Sequence, residues 1–204
     1  MKSVLSLIAL ITTCYLLIGC KKQETQPQIQ SIANVVTNWD FELPPFQDWS
    51  SSSYKAAASK PNNYSVVYST EATSSPSHSI KVSLAASPND TTFHIFQQVI
   101  NATTSSIATG AKLTMKVKIK TVNLQGNGVS LVLGGNQGVD AKYAPTFYAS
   151  TEGKTSIVGT NEFKEYSLTV DALPSKTTSL YVALFYLPKT TGTVYYDDVT
   201  LSVN

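Results

Sequence analysis

From about Asn34 to the C-terminus, short runs of β-branched and aromatic residues alternate with clusters of Ser, Thr, Asn, Gly and Pro, and no helical period persists. The clearest run is Lys112 to Lys120. Leu113, Met115, Val117 and Ile119 fall on one face, and Lys112, Thr114, Lys116, Lys118 and Lys120 on the other. A period of two places one face on a core and the other in water, which defines a strand. The same reading predicts strands at Ser65–Ser69, Ser79–Leu84, Phe93–Ile100, Gly128–Leu133, Thr146–Ala149, Glu162–Val170 and Ser179–Tyr186. Turn chemistry at Pro44-Pro45, Ser74–Ser77, Ser87-Pro88-Asn89-Asp90 and Gln125-Gly126-Asn127-Gly128 separates them. The rhythm predicts an all-β antiparallel sandwich or barrel, with no internal repeat.

The final strand runs from Gly192 to Val203 and changes parity midway. Val194 and Tyr196 hold the apolar face before the acidic pair; Val199, Leu201 and Val203 hold it afterwards. A parity switch within a strand requires an extra residue, which predicts a β-bulge at Asp197-Asp198. Asn38 to Glu42 is read as a short acidic first strand that meets this last one.

Composition narrows the class. The chain has 204 residues, 42% hydrophobic and 14% charged, which suits one domain with a real core. Its net charge is +2 and every basic residue is lysine, so the bidentate arginine contacts of nucleic-acid readers are absent and no nucleic-acid partner is expected. After Lys2, an apolar run from Val4 to Ile18 is too short for a mature membrane span, and it ends in Leu17-Ile18-Gly19-Cys20, which resembles a bacterial lipobox. In such signals the cysteine carries the lipid. The expected organisation is a signal peptide over 1–19, lipidated Cys20 with a Gln-rich tether to residue 33, and a domain over 34–204. Lys21 after the cysteine resembles outer-membrane sorting, to the periplasmic or extracellular face. Cys14 lies in the removed segment, so no disulfide is expected in the domain.

Asn38-Trp39-Asp40-Phe41-Glu42 resembles the Asn-Gly-Asp-Phe-Glu opening of carbohydrate-binding modules with a galactose-binding-like jelly-roll fold. Trp49, Ser77–Val82, Phe96–Val99, Gly110–Lys120, Glu162–Tyr166 and the closing Asp-Asp-Val-x-Leu at Asp197–Leu201 continue the family's order. Trp39 stands where the family has glycine, and Phe163 where tryptophan is more usual. The resemblance implies a jelly-roll β-sandwich that binds carbohydrate without catalysis. It also implies a structural calcium beside the first and last strands, held by Glu42 and Asp197 with Asp40 and Asp198 in reserve. Calcium takes six to eight oxygens at about 2.3–2.6 Å, so backbone carbonyls would complete the shell. The plain alternative is that both carboxylates accept backbone N–H bonds.

Catalytic signatures are lacking in the sequence. His78 and His94 have no recognisable partner pattern, there is no Gly-x-Ser-x-Gly elbow, and two adjacent strand carboxylates face opposite ways. A hydrolase or lyase is therefore the weakest reading. Gly134-Gly135-Asn136-Gln137-Gly138 lacks the lysine and helix of a phosphate cradle and is read as a loop. Sugar binding needs aromatic rings to stack on pyranose faces and polar groups for the hydroxyls. Tyr143, Phe147 and Tyr148 supply rings in one segment. The run Leu180–Leu187 is apolar on both faces, so one set enters the core while Tyr181 and Phe185 line a platform, with Gln98 across the sheet. Trp49 is read as core, and the lysine face of 112–120 as solvated, with an anionic polysaccharide as its livelier use. The expected partner is a glycan or polysaccharide, alongside protein partners in a polysaccharide-capturing system; a structural or adhesive lipoprotein is the runner-up.

Overall fold

The computed structural model describes residues 31–44, 47–54, 63–86, 91–138 and 145–204. Ten strands carry the fold: β1 (Ser50–Tyr54), β2 (Ser65–Ser69), β3 (Ser79–Leu84), β4 (Phe93–Asn101), β5 (Leu113–Gln125), β6 (Val129–Asn136), β7 (Pro145–Ser150), β8 (Gly159–Val170), β9 (Ser179–Tyr186) and β10 (Thr191–Val203). They form two five-stranded sheets, ordered β1-β4-β9-β6-β7 and β2-β3-β10-β5-β8. Every strand pair is antiparallel. The predicted β-sandwich is thus the observed fold.

Alternation explains the core. Leu113, Met115, Val117 and Ile119 of β5 are all buried, facing Phe96 and Ile100 of β4, Leu131 and Leu133 of β6, and Leu180, Val182 and Leu184 of β9. Each fully buried aliphatic side chain contributes about 1.5–3 kcal/mol of hydrophobic stabilisation. Trp49 is core as expected, 3% exposed and stacked on Phe96 at 5.1 Å.

The bulge lies where the parity switch put it. Register shifts between Asp197 and Thr200 opposite β5, and Asp198 adopts φ 50°. The ends of the domain also meet, because Ile32 and Val203 exchange two 2.9 Å hydrogen bonds and Val199 N–H donates to Trp39 O at 2.8 Å. Pairing therefore starts at Ile32, two residues before the expected boundary.

Three expectations need correction. Residues 38–42 form no strand: Asn38 and Phe41 sit at φ 45° and 54°, and the Asn38 amide closes a turn on the Leu43 backbone. That turn drives Phe41, 0% exposed, into the core against Trp49 and Phe96. Gly134, Gly135 and Asn136 are strand, not loop, because each glycine makes room for a neighbouring aromatic ring. The lysine face of β5 is already answered by carboxylates, with Lys116 on Glu165 (2.9 Å), Lys118 on Asp198 (2.9 Å) and Lys120 on Glu162 (2.7 Å). That leaves it poorly suited to a polyanion.

Candidate functional site

The outer face of the β1-β4-β9-β6-β7 sheet carries a second apolar cluster, separate from the core. Ile95 of β4, Val132 of β6 and Ala183 of β9 are buried there beneath Phe93, Tyr181 and Phe185. Register places them side by side: Ser52 opposite Ile95, Ile95 opposite Phe185, Gln97 opposite Ala183, Ala183 opposite Val132. Tyr181 lies opposite Gly134, and Gly134 opposite Tyr148. Among the described residues no other element packs on this face, and such a face would ordinarily be polar. Here it is aromatic along its length.

Three of the rings stack in series, and two more lie further along the same face. Tyr54 stacks on Phe93 at 5.3 Å, and Phe93 on Phe185 at 5.8 Å, with interplanar angles of 10° and 21°. Tyr181 continues the strip by lying across Gly134: a Cβ at Gly134 would meet its Cζ at 2.1 Å and its Oη at 2.2 Å. The glycine is the seat that allows this ring to lie down on the sheet. Gly135 serves the opposite face in the same way, since a Cβ there would lie 2.4 Å from Phe147 Cε1. Two adjacent glycines thus persist in a strand because each accommodates an aromatic neighbour. Tyr148 ends the strip, 55% exposed. With neighbouring strands about 4.8 Å apart, five strands span roughly 19 Å, enough for several linked sugars.

Polar groups border the rings: Ser50, Ser52, Gln97 and Asn101 on one side, Asn136 and Ser150 on the other. Among the described residues of these strands, none facing outward is charged. Burial raises the phenols of Tyr148 and Tyr181, so both remain neutral hydroxyls that donate as well as accept at neutral pH.

The structure brings Tyr148, Tyr181 and Phe185 onto this face and removes two other expected site residues. Gln98 points inward, 4% exposed, and spends its amide on one backbone residue: it accepts from Thr37 N–H at 2.9 Å and donates to Thr37 O at 3.0 Å. Phe147 packs on the core side over Gly135. Tyr143 and Cys20 lie outside the described residues. The sequence reading missed Tyr54 and Phe93. Phe93 shares parity with Ile95 on a strand that is apolar on both faces, a signal equivalent to the one that singled out Tyr181 and Phe185.

The acidic junction makes a different arrangement. Asp197 is 0% exposed. Its Oδ2 accepts from Ser74 N–H (2.6 Å) and Ser75 N–H (2.9 Å); its Oδ1 faces the Ser75 hydroxyl (2.6 Å) and Asp198 N–H (2.8 Å). A carboxylate offers about four lone-pair positions, and all are taken. Burial pushes the Asp197 carboxyl up, against the pull of these donors. Glu42 accepts from Ser77 N–H (2.9 Å) and His78 N–H (3.1 Å), and its other oxygen lies 3.2 Å from His78 Nδ1. The Ser77 N–H is the largest influence holding Glu42 below its usual value. The two side chains pin successive parts of the loop before β3. Between them the Ser75 hydroxyl also lies 3.0 Å from Asp40 O, where a cation would need that carbonyl. This donor set fits an internal latch and does not fit calcium.

No protein-family model matches the chain, and no curated protein matches it in sequence. Solved structures do match. A family 4 carbohydrate-binding module superposes with a TM-score of 0.53 at 18% identity, over 83% of this chain and 99% of that one. A family 61 module, solved with β-1,4-galactotriose, gives 0.52 at 14% identity, over 83% and 98%. The enzymatically active domain of bacteriophage CBA120 tailspike protein 4 gives 0.60 at 14% identity over 84% of this chain, which spans only 22% of the tailspike chain. At such identities the likeness establishes the fold alone, the β-sandwich that these structures share.

Proposed function

We propose that this domain binds a glycan by equilibrium stacking on the outer face of the β1-β4-β9-β6-β7 sheet, with no bond made or broken. The observation that carries the reading is the uncharged aromatic face, exposed at Tyr54 and Tyr148 and half-buried at Phe93, Phe185 and Tyr181. Ring faces pack on the C–H faces of pyranoses, while phenol, amide and serine groups along the border meet hydroxyls. Carbohydrate-binding modules among the structures of this fold support the same reading.

Native electrophoresis of residues 21–204 through gels containing β-glucan, xylan, mannan or galactan tests it. At least one polysaccharide is expected to retard the protein. Tyr181→Ala and Phe185→Ala should each weaken binding roughly tenfold, about 1.4 kcal/mol. Gly134→Val, which displaces the Tyr181 ring without altering it, should do the same. Retardation by no glycan in the gels or on an array would move a protein-binding, adhesive role ahead.

The lipobox-like Leu17–Cys20 supports a lipid anchor that tethers the domain to the outer membrane. Wild-type protein should partition into detergent with a mass increase on Cys20, and Cys20→Ser should stay in the aqueous phase. Equal partitioning of the two proteins would discard the anchor.

A further inference from the structure

Past Phe185, the outer face of the sheet runs into a groove. One residue pair beyond Val132 and Ser150, Thr151 N–H donates to Leu131 O at 3.1 Å, which carries the β6–β7 ladder one step onward before the chain turns at Glu152. Leu187 continues the outward parity of Tyr181, Ala183 and Phe185. Both residues line a groove of ≈ 550 Å³ at this end of the sandwich, whose other walls are the Gly126-Asn127 turn and the loop from Gly153 to Ser156.

The groove differs from the strip in two respects. It carries charge of both signs, Glu152 and Lys154, and among the described residues neither enters an ion pair. Its walls are also fixed from behind. Gly126 lies so close to the next loop that a Cβ would sit 1.9 Å from Lys189 O, and the buried Thr190 hydroxyl donates to Gly128 O at 3.1 Å. Lys154 and Thr155 N–H both donate to Thr151 O, at 3.0 and 2.9 Å, while the Thr151 hydroxyl accepts from Leu131 N–H. Glu152 N–H is held by the Ser150 hydroxyl at 2.9 Å. Two oppositely charged side chains therefore rise from an ordered turn at the Phe185 end of the face, the end away from Tyr181.

Stacked rings see the C–H face of a sugar and tolerate many hexoses. Hydrogen bonds to individual hydroxyls do not, because the wrong epimer leaves a polar group unmatched. A carboxylate accepts from two neighbouring hydroxyls and an ammonium donates to a third oxygen, with no net charge that would favour an acidic sugar. The geometry points to the Glu152–Lys154 groove as the specificity subsite of this face: the strip supplies affinity for a neutral hexose chain, and the groove selects which hexose. This inference rests on the glycan-binding reading.

Titration calorimetry with cellohexaose, β-1,4-mannohexaose and β-1,4-galactohexaose, the last two built from the C2 and C4 epimers of glucose, separates subsite from strip. Wild type should prefer one of the three over the least favoured by at least tenfold. Glu152→Gln/Lys154→Met should keep its thermal midpoint and compress that ratio to about threefold or less. Tyr181→Ala should weaken all three and leave the ratio standing. A double variant that keeps the wild-type ratio, or a wild type that binds without discriminating, overturns the subsite and leaves glycan binding intact. Failure of wild type to bind any of them, together with failure in every polysaccharide gel, removes both.

Discussion

Asp197→Asn is expected to cost about 1–3 kcal/mol in urea unfolding although it preserves the side chain's shape, and Asp197→Ala, which strips the partner from all four donors, should cost more. The cause is donor counting. Three backbone N–H groups and one hydroxyl converge on the buried carboxylate. An amide relaxes best with its NH2 in the Oδ1 position, where the Ser75 hydroxyl can turn its proton to Asp40 O and accept from the amide, so that one donor, the Asp198 N–H, is left unmatched, at a cost of about 1–3 kcal/mol. The neighbouring Asp198 controls for position. Its 2.9 Å pair with Lys118 is partly solvated, so Asp198→Asn should cost less than about 1 kcal/mol. An Asp197→Asn midpoint within experimental error of wild type, at equal slope, would show that the latch holds nothing. The same protein settles the ion: if donors alone satisfy Asp197, a chelator leaves the wild-type midpoint unchanged. A drop restored by added calcium would return Glu42 and Asp197 to the role first expected of them.

Period two made most of the sandwich legible, because β5 and β9 write their buried faces into the sequence without interruption. It also made the bulge legible, since only an inserted residue reconciles Tyr196 with Val199 on one face. β1 was missed because Ser50–Ser53 carries no apolar alternation. The strand is defined by what it meets on β4, namely the His94 ring and the Phe93 face. Missing β1 hid Tyr54, and with it the start of the ring strip. The Gly134-Gly135 pair looked like a loop because glycine marks turns far more often than it seats a ring. Gln98 was misplaced although its parity with Phe96 and Ile100 pointed inward, since a glutamine among core positions is accounted for only by its partner, and the Thr37 backbone is remote in sequence. Strip residues on strands that are apolar on both faces were findable. The groove built from three separate turns was not, because nothing local in the sequence brings Glu152 beside Leu187.

Acidification should unfasten β1 through His94. This ring is 2% exposed, lies between the hydroxyls of Ser51 (3.3 Å from Nε2) and Ser53 (3.1 Å from Nδ1), and has Tyr64 against it at 5.3 Å. Tyr64 in turn meets Tyr186 edge-on at 5.6 Å, so among the described residues the titratable neighbours are phenols and no carboxylate offsets the charge. Neutral His94 bonds both serines by donating to one and accepting from the other. Burial lowers its pKa from 6.5 to about 4. A base lowered on folding binds fewer protons folded than unfolded, so its contribution is whole above pH 6.5 and lost as pH falls toward 4. That interval amounts to roughly 3 kcal/mol at about 1.36 kcal/mol per pH unit. Asp197, raised by burial, runs the other way, so the wild-type slope understates the histidine's share. His94→Gln, which keeps a polar group between the serines, isolates it: from pH 7.5 to pH 4.5 wild type should lose about 2–3 kcal/mol more than the variant. Parallel pH profiles for the two proteins would mean that the imidazole is already solvated and that β1 is held by its backbone ladder alone. If the profiles diverge, β1 should open with the titration. Tyr54 would then leave the strip, and glycan binding should weaken over the same pH interval in wild type but not in His94→Gln.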